Sequence, residues 1–301
     1  MFCDFHINIA EPRAFMSPKS VLITGSSAGG IGSAIALKLA RCDSSNHIFA
    51  TARNTSKISE ELSSLPNVTI IQLDVSSEES VAAALQVVTD SGIGLDVLLN
   101  NAGTGYAMPI LDIDIEKGKE LYEANFWGPI RLIKAFSGLL IASRGRIVNM
   151  NSVGALVNTP WIGVYGSSKA ALVQLSETLR LELSPFGVGV TTIMGGVVDS
   201  KFHTNDEFTL PANSRYASIE EIIASWASGE AKPKGCSAEA FAETLVEDIV
   251  GNGKGKNLIY RGPHAGMIKF MTEWFPTIMV DSFMSKGQRL KELSDEIVKG
   301  K

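Results

Sequence analysis

The chain has 301 residues, 45% of them hydrophobic, and 27 Lys and Arg against 32 Asp and Glu give a formal charge of −5. That size and apolar content suffice for one large buried core, while the acidic balance excludes the clustered basic face that nucleic-acid binding requires. Cys3, Cys42 and Cys236 are odd in number, widely spaced and without a CxxC pair, which speaks against a disulfide framework or a metal site, and no apolar run reaches the 18 residues of a spanning helix.

The first fifteen residues, MFCDFHINIAEPRAF, carry Asp4 and Glu11 and no basic segment ahead of an apolar one, so they do not read as a signal peptide. Residues 1–17 are expected to be an extension without an assigned role, and residues 18–301 a single domain, because no Pro/Gly/Ser-rich linker interrupts them.

From Ser20 onward, short β-rich runs alternate with segments of helical period: VLIT then IGSAIALKLA, HIFATA then a polar segment, VTIIQLD then EESVAAALQVV, LDVLLN then a long segment from Ile115 to about Ile141. RIVNM, a helix carrying Tyr165, VGVTTIM and a late NLIY complete the series. Continuous apolar strands between helices predict an α/β fold: a doubly wound parallel sheet of about seven strands with helices on both faces.

Between the first strand and the first helix lies TGSSAGGIG. Backbone N–H groups of such a loop, with the helix dipole behind them, hold a pyrophosphate; the candidate contacts are Gly25, Ser27, Gly30, Ile31 and Gly32. About twenty residues on, where an NAD-binding chain places an acid for the ribose 2′-hydroxyl, HIFATA ends in Arg53. A guanidinium fork suits the 2′-phosphate of NADP instead, which makes NADPH/NADP+ the expected cofactor; the alternative is a solvated Arg at a strand end. Asp74 and Val75 end the third run and are placed to clamp an adenine ring, although Asp74 also suits a helix cap. Asn101, Ala102 and Gly103 end the fourth, with small residues that permit close approach of a cofactor.

Ser152 ends the run RIVNM, where a parallel strand delivers it to the carboxyl edge at which open α/β sheets bind ligands. Tyr165 and Lys169 are four residues apart on a helix and therefore share a face. An ordinary phenol titrates near ~10, too high for easy proton exchange at neutral pH, and a neighbouring ammonium lowers it.

These residues resemble the short-chain dehydrogenases/reductases over roughly residues 20–200. The resemblance rests on TGSSAGGIG, NNAG, Asn125 in EANFWG, Ser152, and Tyr165-Gly-Ser-Ser-Lys169. It implies a Rossmann-type fold and a tetrad of Asn125, Ser152, Tyr165 and Lys169, in which Tyr165 exchanges the proton, Ser152 hydrogen-bonds the carbonyl oxygen, Lys169 binds the nicotinamide ribose and lowers the Tyr165 pKa, and Asn125 holds a relay water. It also implies cofactor contacts at Val198 and Ser200, and a homo-oligomer. Two departures stand out. The glycine loop is one residue longer than usual, which leaves open whether Gly29 or Gly30 takes the middle role, and Gly195 and Ser200 replace the family's proline and threonine, the latter keeping its hydroxyl.

The long loop, the phrase ATARN and the carboxyl-terminal third look most similar to a branch with fungal 1-acyldihydroxyacetone-phosphate reductases, and more distantly to hydroxysteroid dehydrogenases. The implied substrate is the ketone of a bulky, lipophilic small molecule, acyl-dihydroxyacetone phosphate-like or a secondary metabolite. Its lid is expected at about residues 201–235, where Phe202, Phe208, Ile222, Ile223 and Trp226 alternate with acids; an amphipathic helix packed on its own domain shows the same stripe. Within an apolar segment spanning about residues 263–295, MIKFMTEWFPTIMVDSF is too broken by charge and Pro276 to cross a bilayer. Three readings are open to it: packing on the domain, a dimer or substrate-gate surface, and peripheral docking on a membrane. The expectation is a cytoplasmic NADPH-dependent ketone reductase, touching a lipid droplet or endoplasmic reticulum membrane in the third reading. Its rivals are an NADP-dependent alcohol or hydroxysteroid dehydrogenase working oxidatively and a non-catalytic NADPH-binding regulator.

Overall fold

The computed structural model describes residues 19–200, 208–251 and 257–299. The expected extension at 1–17 and the start of the lid, with Phe202, lie outside them. Strands β1 (Ser20–Ile23), β2 (His47–Ala52), β3 (Val68–Gln72), β4 (Val97–Asn100), β5 (Arg146–Ser152), β6 (Gly189–Gly195) and β9 (Leu258–Arg261) form one sheet in the order β3-β2-β1-β4-β5-β6-β9. Every pairing in it is parallel. The late NLIY run is therefore its seventh strand, on the β6 edge.

The pleat sorts each strand between two cores. Val21 and Ile23 face one side with Ile48, Ala50, Val97 and Leu99, under helices α1 (Ile31–Cys42) and α8 (Ala238–Val250). Leu22, Phe49 and Leu98 face the other, under α3 (Glu78–Asp90) and α5 (Gly128–Ser143), whose Val81, Ala84, Leu132 and Phe136 recur at helical spacing. Burial on both faces is why the strands read as continuous apolar runs rather than alternating ones. The polar segment after β2 forms a tight turn and one short helical stretch, α2 (Glu60–Ser63).

Two features go beyond the sequence expectation. The segment expected as one helix from Ile115 is α4 (Ile115–Tyr122) and α5 joined through a π turn at Glu123–Trp127. A second small sheet pairs β7 (Val198–Asp199) with β8 (Cys236–Ser237), and helix α7 (Glu220–Ser228) lies between them in sequence. Helix α6 (Gly163–Leu183) carries Tyr165 and Lys169.

The carboxyl-terminal stretch forms α9 (Ala265–Trp274), α10 (Thr277–Met284) and α11 (Leu290–Lys299). In α9 and α10 only Ala265, Ile268 and Val280 are buried. The stretch thus packs on the domain through a narrow inner face and leaves most of its large apolar side chains exposed.

Candidate active site

The strand order reverses between β1 and β4, and a crevice opens at that point beyond the carboxyl ends of the strands. Its volume is about 2180 Å³, well above the roughly 300–1,000 Å³ of a single small-ligand pocket. There is room for a dinucleotide and a second molecule.

At one end the β1–α1 loop is pinned to the end of β4. Thr24 Oγ1 accepts from the backbone N–H groups of Asn101 and Ala102, each at 2.9 Å, and Asn101 Nδ2 donates to the Thr24 carbonyl at 2.8 Å. The two adjacent glycines of the longer loop differ in conformation. Gly29 takes the left-handed conformation at φ 78°, which an L side chain resists, whereas Gly30 is the N-cap of α1 at φ −96°. Gly25, Ser27, Gly30 and Ile31 line the crevice. Gly32 is not on its wall but behind it, where a Cβ would stand 2.5 Å from Asn101 Nδ2; its part is to let helix and loop close up.

Arg53 follows β2 and lies exposed on the crevice wall, joined there by Asn54 and Lys57. The latter two were not anticipated. Asn54 caps the turn by accepting from Ser56 N at 3.0 Å, and the Lys57 carbonyl accepts from Ala28 N at 2.8 Å, tying this turn to the glycine loop. A lysine four residues after the strand-end arginine was the available signal. Asp74 and Val75 also line the crevice, with one Asp74 carboxylate oxygen accepting from Ser76 N at 2.9 Å.

At the other end stand Ser152, Tyr165 and Lys169. Ser152 is the last residue of β5, Tyr165 lies in the first turn of α6, and the two side chains are hydrogen-bonded. Burial pushes the Tyr165 phenol up, and the Ser152 hydrogen bond offsets part of that rise. This differs from the depressed phenol expected from spacing, because burial is the larger effect; Lys169 Nζ lies 5.9 Å from the Tyr165 ring centroid and donates to the Met150 carbonyl at 3.2 Å. Burial in turn lowers the Lys169 pKa to about 8, because a desolvated ammonium favours its neutral form.

Asn125 sits in the π turn and is 1% exposed. Its Oδ1 accepts from Thr104 N at 2.8 Å, and its Nδ2 donates to the Thr104 carbonyl at 2.9 Å and to Ser168 Oγ at 3.2 Å. It stands behind the loop that carries Gly103 rather than on the crevice wall. A Cβ on Gly103 would come 2.9 Å from Asn125 Oδ1 and 3.7 Å from Lys169 Nζ. The space saved by that glycine brings loop, π turn and α6 together.

Asn101, Ala102, Gly103, Val198 and Ser200 complete the expected cofactor wall. The glycine-lined floor at one end, the cations beside Arg53 and the Ser–Tyr–Lys group at the other fit an elongated nicotinamide dinucleotide. Apolar side chains wall the remaining space: Phe208 and Trp226 from the expected lid, Met267 and Phe283 from the apolar carboxyl-terminal segment, and Met108, which the sequence did not single out, from the stretch after β4.

Residues 19–209 match the sequence model of the short chain dehydrogenase family. The chain belongs to the short-chain dehydrogenase/reductase family. Members are oxidoreductases acting on CH–OH and C=O groups, and this chain is one of them. It is 46% identical over 266 residues to a short-chain dehydrogenase, PC-15, of Penicillium crustosum, covering 88% of this chain and 96% of that protein. It is 38% identical over 256 residues to the NADPH-dependent 1-acyldihydroxyacetone phosphate reductase of Schizosaccharomyces pombe, covering 83% and 84% respectively. Among solved structures, an alcohol dehydrogenase from Thermococcus sibiricus, complexed with 5-hydroxy-NADP, superposes with a TM-score of 0.65 at 25% identity, over 82% of this chain and 97% of that one. In this short-chain dehydrogenase/reductase, the seven-stranded sheet and the crevice at its switch point thus belong to the family architecture.

Proposed function

We propose that this protein is an NADPH-dependent reductase acting on the ketone of a bulky, lipophilic substrate. The observation that carries the reading is the Ser152–Tyr165 hydrogen bond at the carboxyl edge of β5, with buried Lys169 beneath it and the crevice in front.

Bound NADPH supplies the hydride. Ser152 and Tyr165 converge on the position of the carbonyl oxygen. As negative charge develops there, the Ser152 hydroxyl stabilises it by hydrogen bonding and Tyr165 delivers the proton. Burial keeps the phenol protonated at neutral pH, and the basic oxygen that forms as hydride arrives draws the proton off. Lys169 holds the cofactor ribose and supplies positive charge to the phenolate left behind. Asn125 fixes the Thr104 backbone against the cofactor, a positioning role supported by its three hydrogen bonds. Arg53, with Lys57 on the same wall, receives the 2′-phosphate.

NADPH as cofactor is supported by the name of the fission-yeast relative and by the NADP analogue in the Thermococcus structure. A lipophilic substrate is supported by the apolar walls around Met108, Phe208 and Trp226. The direct test is NADPH oxidation across acyl-dihydroxyacetone phosphates, ketosteroids and polyketide-like ketones. Tyr165→Phe is expected to lower kcat by at least about 10²-fold while leaving NADPH affinity within about twofold. Retained turnover in that variant would remove Tyr165 as the acid.

A further inference from the structure

Helix α9 turns its apolar stripe away from the protein. Met267, Phe270, Met271 and Trp274 recur at three- and four-residue spacing and so share a face. Phe270 is 55% and Trp274 74% exposed, while the opposite face buries Ala265 and Ile268. A helix on a globular surface normally does the reverse. Helix α10 continues the surface with Ile278, 77% exposed, and Met279, 53% exposed. Phe275 and Pro276 join the two helices, and every residue from 273 to 279 is exposed. The result is a ridge with an apolar tip.

The two helices themselves carry three charged side chains, Lys269, Glu273 and Asp281. Asp281 of α10 accepts from Asn158 Nδ2 at 2.9 Å, which turns it toward the body of the protein. Glu273 lies 3.8 Å from Lys269 Nζ, a neutral pair. The outward surface is therefore apolar and carries no cationic excess. Its place beside the crevice decides what covers it. A two-fold interface buries one patch face to face against its own copy, and here that copy would cover Met267 and Phe283, which wall the crevice. A fluid lipid layer needs no matching shape, and Trp and Phe are favoured at its boundary with water.

The ridge also reaches the crevice. Met267, Ile268, Phe283 and Met284 wall the substrate end, and Met267 and Phe283 are themselves 42% and 49% exposed. An apolar path thus runs from tip to crevice. No helix among the described residues is long and apolar enough to cross a membrane, so any contact of this ridge with lipid is peripheral.

We propose that the α9–α10 hairpin is a lipid-docking surface. Its tip enters the headgroup–acyl boundary of a phospholipid layer to a depth of about 5–10 Å and sets the crevice mouth against that layer, so that an apolar substrate passes between lipid and active site without crossing water. Docking goes beyond the reaction proposed above and does not depend on it; the substrate path rests on that reaction.

The test is flotation of the full-length protein with phosphatidylcholine vesicles, comparing wild type with Trp274→Gln/Ile278→Gln, neither of which lines the crevice. Wild type is expected to float and the variant to bind at least about tenfold more weakly, since each side chain loses burial worth more than a factor of ten. Adding phosphatidylserine or salt should change little, because the ridge has no cationic excess. The variant should keep its circular-dichroism melting profile and its NADPH oxidation with a water-soluble ketone. Wild type remaining with the unbound fraction, or a variant that floats equally well, overturns the proposal. So does sedimentation velocity showing a wild-type dimer that the variant splits while vesicles bind neither. Flotation requires no turnover, so a protein that reduces no ketone yet floats separates this inference from the proposed reaction.

Discussion

Lys169 carries a pH signature of its own. Below pH about 8 its buried side chain is the ammonium that the proposed ribose and phenolate contacts need, and above that value it becomes neutral. In the cofactor-free enzyme, kcat/KM for NADPH is therefore expected to fall as pH rises through about 8, a limb that Lys169→Met should erase along with most of the activity; a profile flat to pH 9.5 would remove Lys169 from this role. Stability moves the other way. The folded pKa lies below the ordinary 10.5, so between pH about 8 and 10.5 the unfolded chain holds more protons, and the penalty of burying this group fades with rising pH. Tyr165 shows why spacing is not enough at this scale. Four residues on a helix place the two side chains on one face, but spacing says nothing of the burial that raises the phenol, nor of the Met150 carbonyl of β5 that accepts a hydrogen bond from the ammonium.

At the scale of elements, the π turn between α4 and α5 is the piece least legible in sequence. Its extra residue rotates Asn125 off the helix surface and into contact with both Thr104 and Ser168, and π turns are found mostly where a helix serves a site. Asn125→Ala leaves the Thr104 N–H and carbonyl unpaired, at a cost of about 1–3 kcal/mol for a buried polar group. The expected outcome is a urea midpoint shifted down accordingly, together with a lower kcat. Unchanged stability would mean that water replaces the amide without loss. Helix α8 was likewise not anticipated, although its seven buried positions follow a helical period; its Phe241 packs against Gly195 at the end of β6 and Gly262 just after β9.

For the whole molecule, the crevice exists because the strand order reverses between β1 and β4, so residues from the ends of β1, β2, β3 and β4 line one elongated crevice. A ligand that bridges so many segments stabilises the folded state by linkage, about 2.7 kcal/mol at a hundredfold excess over Kd. With a domain of this size that corresponds to a rise in Tm of roughly 4–5 °C. NADPH is expected to produce such a shift and NADH a much smaller one, with Arg53→Ala bringing the two together. Equal shifts for both cofactors in the wild type would sink the 2′-phosphate assignment.

Much of this was readable in advance for a physical reason. Strand and helix periods, the glycine loop and the Ser–Tyr–Lys spacing are local, and local spacing dictates which side chains share a face or reach a strand end. NLIY could be read as a strand, and Ser152 as the end of one, on those grounds alone. The tertiary structure decided what depends on contacts between distant segments: that β9 closes the sheet beside β6, that Gly29 rather than Gly30 takes the left-handed turn, that Asn125 braces Thr104, and that burial raises Tyr165 while lowering Lys169. The α9 stripe is the clearest case. Its periodicity is the same whether the face is buried or exposed, and only the placement of Ala265 and Ile268 against the body turned Phe270 and Trp274 outward.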